Sequence, residues 1–150
     1  MKISPIRIHI FGASGSGTST LGAALAETLD SLHLDTDEYF WMPTDPKFEV
    51  IRETSARQAM LKSDLESTDS WVLSGSLCGW GDFTIQHIDL AVFLWIPHDL
   101  RMERLRLREV ERYGTDIIMP EHPRNSAFVT FMTWAEKYDS AGPEMRSRAM

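Results

Sequence analysis

Ile6-Arg7-Ile8-His9-Ile10-Phe11-Gly12-Ala13-Ser14-Gly15-Ser16-Gly17-Thr18-Ser19 runs from an alternating, β-branched stretch straight into a glycine-rich turn. The residues that follow, Thr20 to Leu29, carry Leu21, Leu25 and Leu29 every fourth position, which predicts a helix with one apolar face. Strand, glycine turn and helix in this order fit G-x-x-x-x-G-K-[ST] at every specified position but one: Gly12, Gly17 and Ser19 are in place, and Thr18 stands where lysine belongs. The glycines let the backbone fold around an anion with its N–H groups turned inward, and the helix adds its positive end. A hydroxyl at Ser19 suits Mg²⁺. The competing reading is a plain turn with Ser16, Thr18 or Ser19 as a helix cap. The preceding strand and following helix favour the anion cradle.

Outward from this loop the chain keeps alternating. Leu32–Leu34 reads as a second strand ending at Asp35-Thr36-Asp37, and the aromatic, proline-bearing block Glu38–Phe48 as an ordered loop. A helix is expected from about Val50 to Glu66, a third strand at Trp71–Leu73, and then the turn Ser74–Asp82. The continuous apolar run Leu90–Ile96 predicts a strand buried on both sheet faces. A helix from Pro97 to about Arg112 follows, and another over Ala127–Tyr138, although the alternation of Phe128–Phe131 also fits a strand. The fold class is therefore α/β, a mainly parallel sheet with helices on both faces. Loops 12–19, 35–41 and 74–82 all follow strands, at the end of a parallel sheet where sites form.

Composition narrows the function classes. The 150 residues fit one domain, and a hydrophobic content of 43% with 25% charged residues is ordinary for a protein with its own core. No apolar run approaches the length of a membrane span, and Arg7 and His9 interrupt any signal-peptide core, so a membrane partner or secretion is not expected. Cys78 is the single cysteine, excluding an internal disulfide and fitting a reducing cytoplasm. The five histidines fall at no metal-ligand spacing. A net charge of −7 argues against nucleic acid as a partner. Eleven of the fifteen basic residues are arginine, and Arg101, Arg104, Arg106, Arg108 and Arg112 lie within twelve residues.

The loop Gly12–Ser19, followed in order by Asp35-x-Asp37, the turn at Gly75 and the arginine helix, resembles the P-loop nucleoside and nucleotide kinase superfamily, particularly its adenylate-kinase-like and shikimate-kinase-like members. The resemblance covers Ile6 to about Arg148. It implies the three-layer P-loop fold, ATP and Mg²⁺ as cofactors, and a small-molecule acceptor. It also implies an acceptor-binding insertion at about 36–66 and a lid at about 108–126. By the same resemblance Gly12, Ala13, Ser14, Gly15, Ser16, Gly17, Thr18, Ser19 and Thr20 would hold the nucleotide, with Arg101 and Arg104 on its phosphates. Gly75 and Ser76 would touch the acceptor. Two departures stand out: the lysine is absent, and Ser74-Gly75 replaces the Asp-Gly of adenylate kinases. Such kinases also end with a fifth strand and a terminal helix, for which the residues before Met150 offer no candidate. A shortened chain with an open sheet edge, covered by self-association, is the expectation.

The remaining candidates rest on their chemistry. Asp35 and Asp37, two apart on an extended stretch, would point the same way and could hold Mg²⁺ with Ser19 or take a proton from an acceptor hydroxyl; one of them could instead merely turn the chain. Tyr39, Phe40, Trp41 and Trp80 could stack on a planar acceptor, or simply pack. On one helix, Arg101, Arg104, Arg108 and Arg112 form a basic stripe beside an apolar stripe of Leu100, Leu107 and Val110. With the lysine gone, Arg104 and Arg108 are the arginines expected to bear catalytic charge, against the alternative of a solvated face paired with Glu103, Glu109 and Glu111. Arg124 and either Arg146 or Arg148 are further candidates, and Cys78 is expected only to pack. The leading expectation is an ATP-dependent small-molecule kinase. A nucleotide-binding protein with little phosphotransfer, or an unrelated α/β domain binding another anion, are the alternatives.

Overall fold

The computed structural model of the chain describes residues 4–150. They fall into two compact units: the residues up to Phe11 with Gly17–Phe93, and Gly12–Ser16 with Leu94–Met150.

The first unit is built on a sheet in the order β2-β3-β1-β4, with β1 at Arg7–Gly12, β2 at Leu32–Asp35, β3 at Trp71–Ser74 and β4 at Leu90–Leu94. β3 pairs in parallel with β1 (Ile8 opposite Val72, Ile10 opposite Ser74) and with β2 (Asp35 opposite Ser74). Because side chains alternate along a strand, β3 is buried on both faces. Trp71 and Leu73 pack with Leu34, Tyr39, Leu61, Leu77 and Trp80 in the main core, against helix α3 (Thr54–Glu66). Val72 and Ser74 turn to the opposite face, where helix α1 (Thr18–Leu29) docks. Helices thus cover both faces, as the alternation of elements predicts.

Several local expectations change. The face of α1 that docks is not the leucine face: Gly22 and Ala26 are buried, while Leu21 is exposed. A Cβ on Gly22 would come within 2.6 Å of the His33 ring and 3.0 Å of Ser74 Cβ, so small residues let the helix approach closely. The block after β2 is not all loop, since Thr36–Phe40 forms a short helix, α2, before the chain closes on itself through Met42 N to Val50 O and Arg52 N to Phe40 O. α3 starts at Thr54, later than expected, because the Glu53 carboxylate caps it at Ala56 N, 3.1 Å away. β4 is not buried on both faces: it is the last strand of the sheet, and Leu90 and Phe93 are 47% and 45% exposed.

In the second unit, helix α4 (His98–Tyr113) packs on α5 (Asn125–Glu136), with 3-10 turns at Thr115–Ile118 and Lys137–Asp139. The stretch Phe128–Phe131 is helical, not a strand. The buried face of α4 is Arg101, Leu105 and Glu109, while Leu100 and Leu107 are exposed, the reverse of the stripe read from the sequence. Buried charge is tolerated here because it is satisfied. The Arg101 guanidinium donates to Ala135 O at 2.9 Å, lies 3.5 Å from Asp139 and rests 5.5 Å from the Tyr138 ring centroid. No helix among the described residues is long and apolar enough to cross a membrane.

Candidate functional site

The glycine loop leaves β1 at Gly12, where a Cβ would lie 2.3 Å from the Leu94 carbonyl oxygen. Gly15 (φ 82°) and Gly17 (φ 96°) hold the left-handed backbone that the turn requires. Ser16 closes it, its N–H and its hydroxyl both donating to Ala13 O at 3.1 and 2.7 Å. Gly17 is the N-cap of α1, and no side chain caps this helix. The cap role open to Ser16, Thr18 and Ser19 is therefore not taken up, leaving the first helical N–H groups in the state that suits an anion. Thr20 and Ser19 are exposed, and Ala13 is buried.

The Ser19 hydroxyl donates to Asp35 Oδ2, joining the head of α1 to the carboxyl end of β2. The other carboxylate oxygen accepts from Asp37 N at 3.0 Å and so caps α2. Asp35 therefore turns the chain and meets Ser19 at once. Asp37 is the second residue of α2 and exposed, so the extended geometry expected to align it with Asp35 is absent. Among the described residues no group of three or more His, Cys, Asp or Glu could hold a metal.

On the acceptor side the aromatics are divided. Tyr39 and Trp80 belong to the core: the Tyr39 hydroxyl donates to Asp64 at 2.7 Å, and Trp80 Nε1 donates to Ser76 O at 3.2 Å. Burial and the Asp64 carboxylate push the Tyr39 phenol far above its usual pKa. Stacking on a ligand is thus replaced by packing at both positions. Trp41 is half-buried, edge-on to Phe40 and Phe48 at 5.0 and 6.1 Å. Gly75 has φ 105°, and its carbonyl accepts from His9 Nε2 at 2.9 Å. Ser74, one residue earlier, accepts or donates with His33 Nε2 at 2.9 Å, the arrangement that stands where adenylate kinases have aspartate.

The arginine helix disperses its charges. Arg101 is 1% exposed and spent on Ala135 and Asp139, while Arg108 and Arg112 share Glu109, each at 3.5 Å. Arg106 pairs with Glu103 at 2.8 Å. The ion-paired alternative describes this helix better than a continuous basic stripe. Arg104 is exposed and forms no hydrogen bond or ion pair among the described residues.

Two residues carry signals that the sequence did not reveal, and a third, Arg146, has a partner that the sequence did not reveal. Arg57, the single arginine of α3, is 9% exposed, sits 4.4 and 5.4 Å from the ring centroids of Phe40 and Trp80, and leaves Nε and Nη1 without hydrogen-bond partners. His9 anchors Gly75. Arg146 Nη2 donates to the Gly12 carbonyl at 2.9 Å. Each acts across 30 or more sequence positions or lies inside an ordinary helix pattern, so no spacing marks it. A cavity of about 600 Å³ opens beside Arg7, Lys62, Trp71, Phe83 and His87, at the amino ends of β1 and β3, and Arg57, His9 and Arg146 do not line it.

A parallel β2-β3-β1-β4 sheet whose β1 runs through a glycine loop into α1 defines the P-loop class of α/β fold. A family model described as an AAA domain matches residues 8–126, and the chain belongs to that family. The uncharacterized protein YqaC of Bacillus subtilis (strain 168) is 51% identical over 143 residues, covering 95% of this chain and 78% of that protein. A cytidylate kinase of Methanocorpusculum labreanum is 32% identical over 120 residues, and this chain spans 63% of its length. A shikimate kinase structure from Bacteroides thetaiotaomicron superimposes with a TM-score of 0.54 at 22% identity, over 87% of this chain and 77% of that one. That last likeness is one of fold.

Proposed function

We propose that the chain binds Mg-ATP on the loop Gly12–Thr20 and transfers the γ-phosphoryl group to a small anionic acceptor held by residues 35–80. The observation that carries this reading is the contact of Ser19 with Asp35, a hydroxyl and a carboxylate brought together at the head of the helix that follows the glycine loop. Hard oxygen donors of this kind fit Mg²⁺, which keeps several waters and takes the rest of its shell from phosphate oxygens. When bound, it would neutralise charge on the β- and γ-phosphates.

In the transfer, an acceptor oxygen attacks the γ-phosphorus in line while the bond to the β–γ bridging oxygen breaks and ADP leaves with the electron pair. The acceptor proton passes to a carboxylate, Asp35 or Asp37. Positioning and charge neutralisation do most of the work in such reactions. Arg57 sets the acceptor class. A buried guanidinium with Nε and Nη1 unsatisfied calls for a partner, and a carboxylate or phosphate on the acceptor supplies one.

The presence of Thr18 favours one other reading, nucleotide binding with little transfer. Melting with and without nucleotide tests the common ground: Mg-ATP at about 100 times its dissociation constant should add about 2.7 kcal/mol of stability. No shift with any nucleoside triphosphate at millimolar concentration overturns both readings. Arg57→Leu should raise the acceptor KM about 10-fold or more and leave ATP affinity as it is; an unchanged acceptor KM removes Arg57 from the site.

A further inference from the structure

Arg7 opens β1 and Trp71 opens β3, and the two stand opposite each other in the parallel pair, so their side chains leave the sheet on the same side. On that side, beside α3, lies the cavity of about 600 Å³, and every residue lining it belongs to the first unit. Its volume falls in the roughly 300–1,000 Å³ range of small-molecule sites. Leu65, Phe83 and Trp71 give it apolar walls continuous with the main core. It opens at the amino ends of β1 and β3, whereas the glycine loop and the turn at Gly75 follow their carboxyl ends. The cavity is therefore a separate place from the nucleotide loop.

Arg7 marks its polar side. Nε is buried without a hydrogen-bond partner, and the guanidinium donates no hydrogen bond among the described residues. Asp89 is near, but its Oδ2 accepts from the Arg7 backbone N at 2.9 Å and stands 3.7 Å from Nε, too far for a hydrogen bond. With its side chain 40% exposed, the guanidinium stays open to an incoming oxygen. A fork of donors left in this state is matched by an oxyanion. The rest of the rim sets how much charge fits. Glu66, 3.9 Å from Lys62, and Asp69 also line the cavity, so one negative charge is accommodated better than the two of a phosphate. We propose that this cavity is a binding site for a small carboxylate carried on a flat apolar body. The ring packs on Leu65 and Phe83, as aromatic walls favour, and the carboxylate meets Arg7.

Indole-3-carboxylate, uncharged indole-3-carboxamide and ring-free acetate probe the two requirements separately in amide-resolved NMR titrations of the full chain. At about pH 7 the carboxylate should saturate with a Kd below about 1 mM, the carboxamide should bind about 10-fold more weakly, and acetate should not saturate. The shifted amides should centre on Arg7, Leu65 and Phe83. Arg7→Gln should bring the carboxylate and the carboxamide within about 3-fold of each other. Ala59→Trp, which puts bulk into the cavity from an exposed position of α3, should remove saturable binding of both. The proposal is overturned by a carboxylate that does not saturate by about 10 mM, by equal affinity for the carboxamide, or by shifts centred on Gly12–Ser19, which would put the probe on the nucleotide loop. It is overturned equally by a preference for the carboxylate that survives Arg7→Gln, or by Ala59→Trp binding as the parent does. The first three outcomes are read on the parent alone, so a variant that melts early leaves the test decisive.

Discussion

Burial holds the His9 imidazole below its usual pKa of 6.5, with the Gly75 carbonyl pulling weakly the other way by accepting its Nε2–H. The ring is thus neutral when folded and takes up a proton more readily when unfolded. Stability should therefore be full above about pH 6.5 and fall as the pH drops toward the lower folded value, since the unfolded state binds the extra proton. Denaturant titrations across this range should show the slope flattened in His9→Gln; an unchanged slope would mean that other groups set it. Gly75 makes a second prediction. Its φ of 105° and a Cβ that would lie 2.0 Å from Thr36 Oγ1 mean that Gly75→Ala should cost about 2 kcal/mol or more, with part of the loss recovered by Thr36→Ala in the same chain. Additive losses would show that strain, not the contact, dominates. Residues such as Gly12, Ser19 and Asp35 were legible in the sequence because a spaced motif announces them. His9 and Arg57 were not, because what distinguishes them is a partner 66 positions away and an unsatisfied buried nitrogen, and Arg146 was legible only as one basic residue among several, its carbonyl partner lying 134 positions away.

Elements were easier to locate than to orient. Every strand and all but one of the α-helices can be placed from periodicity, the short α2 being the one hidden in an aromatic block. The faces of α1 and α4 could not, for a common physical reason. Periodicity marks where apolar residues recur, but docking follows closeness of approach in α1 and hydrogen-bond satisfaction in α4. α4 gives a measurable contrast. Removing the buried Arg101 guanidinium takes a partner from both Ala135 O and Asp139 and leaves a cavity under α4, so Arg101→Ala should destabilise by about 3 kcal/mol, while Leu107→Ala on the exposed face should stay within about 0.5 kcal/mol. Denaturant unfolding of the two variants checks the order. The sequence stripe alone would rank them the other way.

At the scale of the whole molecule, β4 is the last strand of the sheet, and its exposed Leu90 and Phe93 accompany an edge with no strand beyond it among the described residues. Unpaired edges recruit other chains. Sedimentation at micromolar concentration should therefore show self-association, and a strictly monomeric, cooperatively unfolding protein would contradict it. The parallel sheet itself was readable from alternating strands and helices, whereas the exposure of β4 was not, since a continuous apolar run gives the same pattern whether it is covered or bare.

Phosphoryl transfer itself tests the central claim most directly. With γ-labelled ATP, Mg²⁺ and a panel of small acceptors bearing a carboxylate or phosphate beside a nucleophilic oxygen, the account predicts label moving to at least one acceptor. It further predicts that Ser19→Ala lowers that turnover at least about 100-fold while its melting temperature stays near the parent's. Label that never leaves ATP except to water, or a Ser19→Ala variant that transfers as fast as the parent, would contradict it.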